Sequence, residues 1–151
     1  MGEACFICDK HLWNIETTGP TIYEDEYVYV GPIDKDGRPS YLGHLMIDLK
    51  RHVPTLADMN MEEAKPIRMT IVRVSKALVH SENGEHIYSL VSGNSVPHLH
   101  MHIVPRYPST PKEYWGPMSV YDWPDAPMDY NTEIIEICNR VKSYIECERN
   151  E

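Results

Sequence analysis

Two stretches rich in β-formers flank a polar break in the first third of the chain. "TIYEDEYVYVGPI" (residues 21–33) carries Tyr27, Val28, Tyr29 and Val30, which predict a strand. "DKDGRPS" (residues 34–40) holds Asp-Gly and Pro and predicts a turn. "YLGHLMIDLKRH" (residues 41–52) then predicts a second strand, antiparallel to the first across that turn. From Met61 to Ser81 the period changes. Ile67, Ile71, Val74 and Leu78 follow one another at helical spacing, with Val72 and Val79 widening the stripe. Asn60, followed by Glu62 and Glu63, supplies a cap and an acidic first turn. Pro66 lies beyond a first turn begun at Met61, so the pattern predicts either a bend there or a regular start nearer Lys65.

The second half repeats the theme. "SENGEH" predicts a turn, "HIYSLV" (residues 86–91) a strand, "SGNS" (residues 92–95) a tight polar loop, and "HLHMHIVPRY" another strand. Residues 108–130 hold many of the chain's 12 prolines and read as irregular. Ile134, Cys138, Val141 and Ile145 mark an amphipathic helix over about residues 131–148, capped near Asn131 or Thr132. Strand, strand, helix, strand, strand, helix is the order of an α+β unit on an antiparallel sheet. Neither an internal repeat nor a linker stands out, so residues 1–151 read as a single domain with its core at about 5–107.

Composition narrows the function classes. The chain is 42% hydrophobic and 25% charged, which is ordinary for a soluble globule. A net charge of -9 argues against a broad nucleic-acid-binding surface, although a local pocket can still take a small anion. "MGEACFICDK" lacks a basic stretch followed by an apolar one, and no apolar run approaches the roughly 18 residues that span a bilayer. The expectation is a cytoplasmic protein, where its four cysteines are thiols or metal ligands before they are disulfides.

The chemistry concentrates in "VPHLHMHIVPRY" (residues 96–107). On a strand, His98, His100 and His102 share one face while Leu99, Met101 and Ile103 face the core. The outer two of three same-face residues are roughly 13 Å apart along the backbone, too far for both to reach one zinc with bonds of about 2.0–2.1 Å. An HxH metal site completed by another residue stays open. So does a nucleophile: an imidazole nitrogen attacks phosphorus and splits one displacement into two easier ones. It needs the neutral tautomer, held at its other nitrogen, with donors around the phosphoryl oxygens. His100 flanked by His102, with Asn94 and Ser95 in the loop just upstream, supplies those parts.

"HLHMHIV" resembles the signature of the histidine triad (HIT) superfamily, HxHxH followed by two apolar residues. "GNSV" upstream is similar to the family's Gly-Gln/Asn-Ser/Thr element, and "PRY" follows as in many bacterial members. "CFIC", "YEDEYVYV" and "GHLMIDLKRH" also fall where the family has similar text, so the resemblance covers about Cys5 to Tyr107. It implies a HIT-like α+β fold: an antiparallel sheet of about five strands, one long helix and a C-terminal helix. It also implies nucleotide hydrolysis or nucleotidyl transfer at an α-phosphate, with His100 transiently nucleotidylated, and a homodimer. His102 would contact the phosphate, Ser95 would assist the phosphate or leaving group, and His44 would stand behind the triad. The compact "HIYSLVSGNSV" departs from the longer Asn-rich segment of many members, and the ribose carboxylate falls on Asp34 or Asp36. Ile103, where hexose-1-phosphate uridylyltransferases carry Gln, favours the hydrolase side, and no basic patch or zinc finger favours a DNA-repair relative.

"CFIC" is a CxxC pair, half of a zinc site. In zinc-carrying HIT relatives the pair is completed by the histidine ending the K-x-H segment and by the first triad histidine. The resemblance therefore implies structural zinc on Cys5, Cys8, His52 and His98. Cys138 and Cys147 read as structural; His11, His80 and His86 show no partner. Trp115 and Trp123 read as packing residues, and Arg106 can face phosphate only if the strand runs through Pro105. Three functions remain in play: the HIT-type hydrolase or transferase, a metal-dependent hydrolase with His98 and His100 on a catalytic ion, and a nucleotide-binding scaffold with negligible turnover.

Overall fold

Strict alternation along the central strands divides the sheet into two chemically different faces. The computed structural model describes residues 4–17 and 19–149; Thr18 and the outermost residues of the 151 lie outside it. In chain order come α1 (Phe6–His11), β1 (Tyr23–Glu24), β2 (Val28–Pro32), β3 (Ser40–Tyr41) and β4 (Leu45–Leu49). Then follow α2 (Met61–Glu82), β5 (His86–Leu90), β6 (His100–Arg106), β7 (Met128–Asp129) and α3 (Thr132–Arg149). Five strands form an antiparallel sheet in the order β1-β2-β4-β6-β5, and β3 pairs with β7 in a separate ladder. The α+β architecture expected from the sequence is the one observed.

On one face Val28, Val30, Leu45, Ile47, Leu49 and Ile103 are buried beneath α2 and α3. Each such aliphatic side chain contributes about 1.5–3 kcal/mol on burial. Helix α2 meets them with Ile67, Val74, Ala77 and Leu78, and α3 with Ile134, Ile137, Cys138, Val141 and Ile145. The opposite face carries Met46 and Asp48 from β4 beside His102 and His100 from β6, their direct cross-strand partners.

Three local features depart from the simplest sequence reading. Helix α2 starts at Met61 and runs through Pro66. Its start is fixed by a capping box in which Asn60 Oδ1 accepts from the Glu63 N–H while Glu63 accepts from the Asn60 N–H. Proline removes the bond to the carbonyl of Glu62, but Glu62 is exposed and water can satisfy it. Second, the expected 41–52 strand is interrupted at Gly43 (φ +88°), where a Cβ would lie 2.6 Å from the Tyr107 hydroxyl and 2.7 Å from Pro105 Cγ. Only glycine fits, so Tyr41 leaves for the small ladder and His44 begins a new course into β4. Third, the irregular 108–130 segment contains two 3-10 turns and β7, and it seats Val120 against Tyr41 and Val104 on the sheet's polar face.

Candidate active site

Strand β6 opens at His100, so His98 sits just ahead of it. Leu99 keeps the ladder going on both sides: its N–H donates to Val53 and its carbonyl accepts from Leu49. Between those two contacts the segment that follows β4 makes a detour of Lys50, Arg51 and His52. Arg51 pins the detour to the start of α2 with a forked pair to Glu63 (Nε–Oε2 3.0 Å, Nη2–Oε1 2.7 Å) and a bond to the Asp58 carbonyl. His52 is thereby delivered to His98.

Around that point Cys5 and Cys8, the first at the entry to α1 and the second within it, bring their thiols in. Cys5 Sγ and Cys8 Sγ each lie 3.4 Å from His98 Nδ1; His52 Nδ1 lies 3.3 Å from Cys8 Sγ and 3.1 Å from His98 Nδ1. The four donor atoms lie within 4.8 Å of one another. A tetrahedral zinc with Zn–S of about 2.3 Å and Zn–N of about 2.0–2.1 Å separates its ligand atoms by about 3.3–3.8 Å. The donor set fits that ion in kind and number, and the contacts of 3.1–3.4 Å around His98 and His52 lie near the lower end of that spacing. The ring of His98 is oriented from behind, since its Nε2–H donates to the Leu49 carbonyl at 2.5 Å and leaves Nδ1 unprotonated toward the thiols.

Two residues on, the arrangement inverts. His100 Nδ1–H donates to the carbonyl of His98 at 2.6 Å, so Nε2 keeps its lone pair and has no hydrogen-bond partner among the described residues. His102 uses Nδ1 to meet His44 Nε2 at 2.9 Å, and His44 Nδ1 meets the Tyr121 hydroxyl at 2.5 Å. The Tyr121 oxygen already accepts from the Tyr41 N–H, so its own proton goes to His44 Nδ1. His44 then donates from Nε2 to His102, and His102 presents Nε2–H as a donor. Burial and then the neighbouring His102 and Lys35 push the His44 pKa down to about 3, while burial raises the Tyr121 hydroxyl to about 12. Burial also lowers His102, helped by His100 and Lys35. The relay is neutral at physiological pH.

His100 and His102 line a cleft of about 360 Å³. Ser95 stands on its rim. Lys10 of α1 contributes a buried ammonium paired with Asp48 at 2.5 Å, and His11 Nε2 bonds the same carboxylate oxygen at 3.2 Å. Burial alone would raise the Asp48 carboxyl, but His11 and Lys10 together hold it below its ordinary value. Lys35 and Arg38, from the loop after β2, complete the positive side of the cleft, with Asp34 beside them.

The chain matches the HIT domain family over residues 14–109. It belongs to the HIT family. A bis(5'-adenosyl)-triphosphatase of Dictyostelium discoideum is 31% identical over 74 residues, which is 46% of this chain and 50% of that protein. The match thus spans half the length of that relative. An uncharacterized HIT-like protein of Methanocaldococcus jannaschii is 29% identical over 107 residues, covering 68% of this chain and 79% of that protein. Among solved structures, a Zn-bound histidine triad family protein from Mycobacterium smegmatis superposes with TM-score 0.71 at 18% identity, covering 98% of each chain. A hypothetical histidine triad nucleotide-binding protein from Sulfolobus tokodaii gives TM-score 0.73 at 18% identity, over 96% of this chain and 94% of that one. These likenesses carry the fold.

Seen as a HIT protein, the chain gathers eight of the nine residues singled out from sequence into two adjoining places. Cys5, Cys8, His52 and His98 form the thiol–imidazole cluster; His100, His102, His44 and Ser95 belong to the cleft and its support. Asn94 is exposed and does not line the cleft. Asp34 lines the cleft and Asp36 does not. The strand does continue through Pro105, yet Arg106 is engaged elsewhere, over the Trp115 ring at 3.7 Å and with Glu85 and Tyr88. Sequence reasoning missed Tyr121, Lys10, His11, Asp48, Lys35 and Arg38. For Asp48 a signal existed, a lone charge inside "LMIDL" at the phase opposite Leu45, Ile47 and Leu49. Nothing marked Tyr121.

Proposed function

We propose that the protein is a nucleotide hydrolase, or nucleotidyl transferase, that works through a covalent His100–nucleotide intermediate. His100 Nε2 attacks the α-phosphorus, the bond to the leaving oxygen breaks, and water or another acceptor releases the nucleotide. The observation that carries this reading is the bond from His100 Nδ1–H to the His98 carbonyl, which leaves Nε2 as a free, oriented lone pair on the cleft wall. His102 Nε2–H is a donor for a phosphoryl oxygen, and the Ser95 hydroxyl a second one. Zinc on Cys5, Cys8, His52 and His98 would be structural, tethering α1 to the start of the catalytic strand through a closed set of four ligands. A homodimer in the cytoplasm belongs to the same reading.

The 31% identity to a bis(5'-adenosyl)-triphosphatase supports hydrolase chemistry on a nucleotide phosphate. A catalytic ion shared by His98 and His100 finds less support, because the free nitrogen of His98 turns to the thiols and that of His100 to the cleft. The test is His100→Asn. Turnover is expected to fall by about 10³-fold or more, with metal content and melting temperature retained. Mass spectrometry of the reacting native protein should find a nucleotide on residue 100. Full activity in His100→Ala would overturn the reading.

A further inference from the structure

We propose that Lys35 and Arg38 form a subsite for phosphate groups carried by the leaving portion of the substrate, which makes a phosphoanhydride the preferred bond. The inference rests on the proposed attack by His100 and adds the class of substrate that attack would meet. In a chain of net charge -9, three cations and two carboxylates, Asp34 and Asp48, line one cleft, and among the described residues Lys10 is the cation of the three held in an ion pair. Among the described residues Lys35 and Arg38 make no ion pair. Arg38 Nε donates to the Lys35 carbonyl at 3.0 Å, which shapes the loop and leaves the guanidinium's outer nitrogens unspent. The Lys35 ammonium sits 4.0 Å from the centre of the Tyr121 ring, the same ring whose hydroxyl holds His44 and, through it, His102. A cation–aromatic contact of this kind fixes an otherwise mobile lysine. Its position beside the imidazole relay is thus set by one aromatic side chain. Burial first, and then the neighbouring Arg38, depress Lys35, and an anion bound beside them relieves both effects.

The chemistry of departure points the same way. As His100 Nε2 bonds to phosphorus, the bridging P–O bond breaks and its electron pair stays on the departing oxygen. A leaving phosphate carries that charge without a proton, since its second pKa is about 6. The relay behind His102 is held neutral, with His44 pushed down to about 3, so it has no acidic proton ready for an amine or alkoxide. Two cations on the rim match the demand of a phosphate chain. Water then attacks phosphorus, the N–P pair returns to Nε2, and one proton goes to solvent.

The experiment compares Lys35→Met, Arg38→Gln and the double variant with the native protein. Two substrates are used: diadenosine triphosphate, and the p-nitrophenyl ester of a nucleoside monophosphate, whose leaving group has no phosphate. The ratio of kcat/KM for the first to that for the second is expected to drop about tenfold in each single variant. Calorimetric titration with inorganic tripolyphosphate, which needs no turnover, should weaken by a similar factor and be salt-sensitive. An unchanged ratio, or equal loss on both substrates, overturns the proposal. If the native protein hydrolyses neither substrate yet binds tripolyphosphate in a manner that depends on Lys35, the catalytic reading fails and the anion subsite stands.

Discussion

His98 and His100 stand two residues apart and hold opposite tautomers. His98 gives its Nε2 proton to the carbonyl of Leu49 and turns Nδ1 to two thiols and another imidazole. His100 gives its Nδ1 proton to the carbonyl of His98 and turns Nε2 to the cleft. The same side chain becomes a candidate metal donor in one place and a candidate nucleophile in the other. What decides is which backbone carbonyl lies behind the ring. The surroundings follow: the cluster joins two thiols to two imidazoles, while the cleft sets His100 and His102 among three cations and the carboxylates of Asp34 and Asp48.

The sharpest break of this comparison is on the thiol side. Cys8→Ser removes one of four donors and is expected to abolish zinc binding, measured as metal per chain by plasma mass spectrometry. Loss of stability on the order of 3–5 kcal/mol should accompany it, read from denaturant unfolding. His102→Ala should keep its full metal. A Cys8→Ser protein that retains zinc, or a His102→Ala protein that loses it, would show that the two histidine environments are not separate.

The cleft side has its own signature in pH. His44 is neutral when folded, with a pKa near 3 in place of the ordinary 6.5. The unfolded chain therefore takes up a proton that the folded chain refuses. This stability is present in full above pH 6.5 and is lost as pH falls from 6.5 toward 3, at about 1.4 kcal/mol per pH unit for one such group. His44→Phe should flatten the acid limb of the stability curve between pH 6 and 4.5, whatever it does to the absolute value. Parallel curves for native and variant proteins would mean that His44 does not resist protonation.

How much of this was readable beforehand follows from what each feature depends on. The strands, α2 and α3 were legible because burial imposes a period on Val28, Val30, Leu45, Ile47, Leu49, Ile67, Val74 and Leu78. The sharing of a face by His100 and His102 follows from the same period, and their resemblance to a known signature named their company. The detour at Lys50–His52 was not legible, since it exists only because Leu99 bonds to both Leu49 and Val53 across it. Which imidazole nitrogen is free depends on carbonyls 49 residues away for His98 and two residues away for His100. Lys35 and Arg38 read as ordinary turn residues because nothing in "DKDGRPS" says which wall of which cleft the turn will form. Tyr121 lies in a proline-rich stretch without periodicity, 77 residues from the histidine it touches.

Tyr121 also gives the finest test of the comparison. Phenylalanine at this position keeps the ring that lies tilted against Tyr41 and seats Lys35, and deletes one oxygen. That oxygen does two things: it accepts from the Tyr41 N–H at 3.2 Å and donates to His44 Nδ1 at 2.5 Å. Its loss leaves two buried polar groups short of a partner, a destabilisation of about 1–3 kcal/mol. More to the point, nothing then dictates that His44 protonates Nε2, and His102 loses its assigned direction of donation toward phosphate. Tyr121 would thus act as a positioning residue, and Tyr121→Phe should lower kcat about tenfold with a smaller change in KM. Nitrogen NMR of the imidazoles separates this from general loosening. The native protein should show His44 and His98 protonated at Nε2 and His100 at Nδ1, and in Tyr121→Phe only the His44–His102 pair should become mixed. A variant with the native tautomers but the same loss of rate would assign the effect to packing around Lys35 instead, and the relay would have no part in setting the donor at His102.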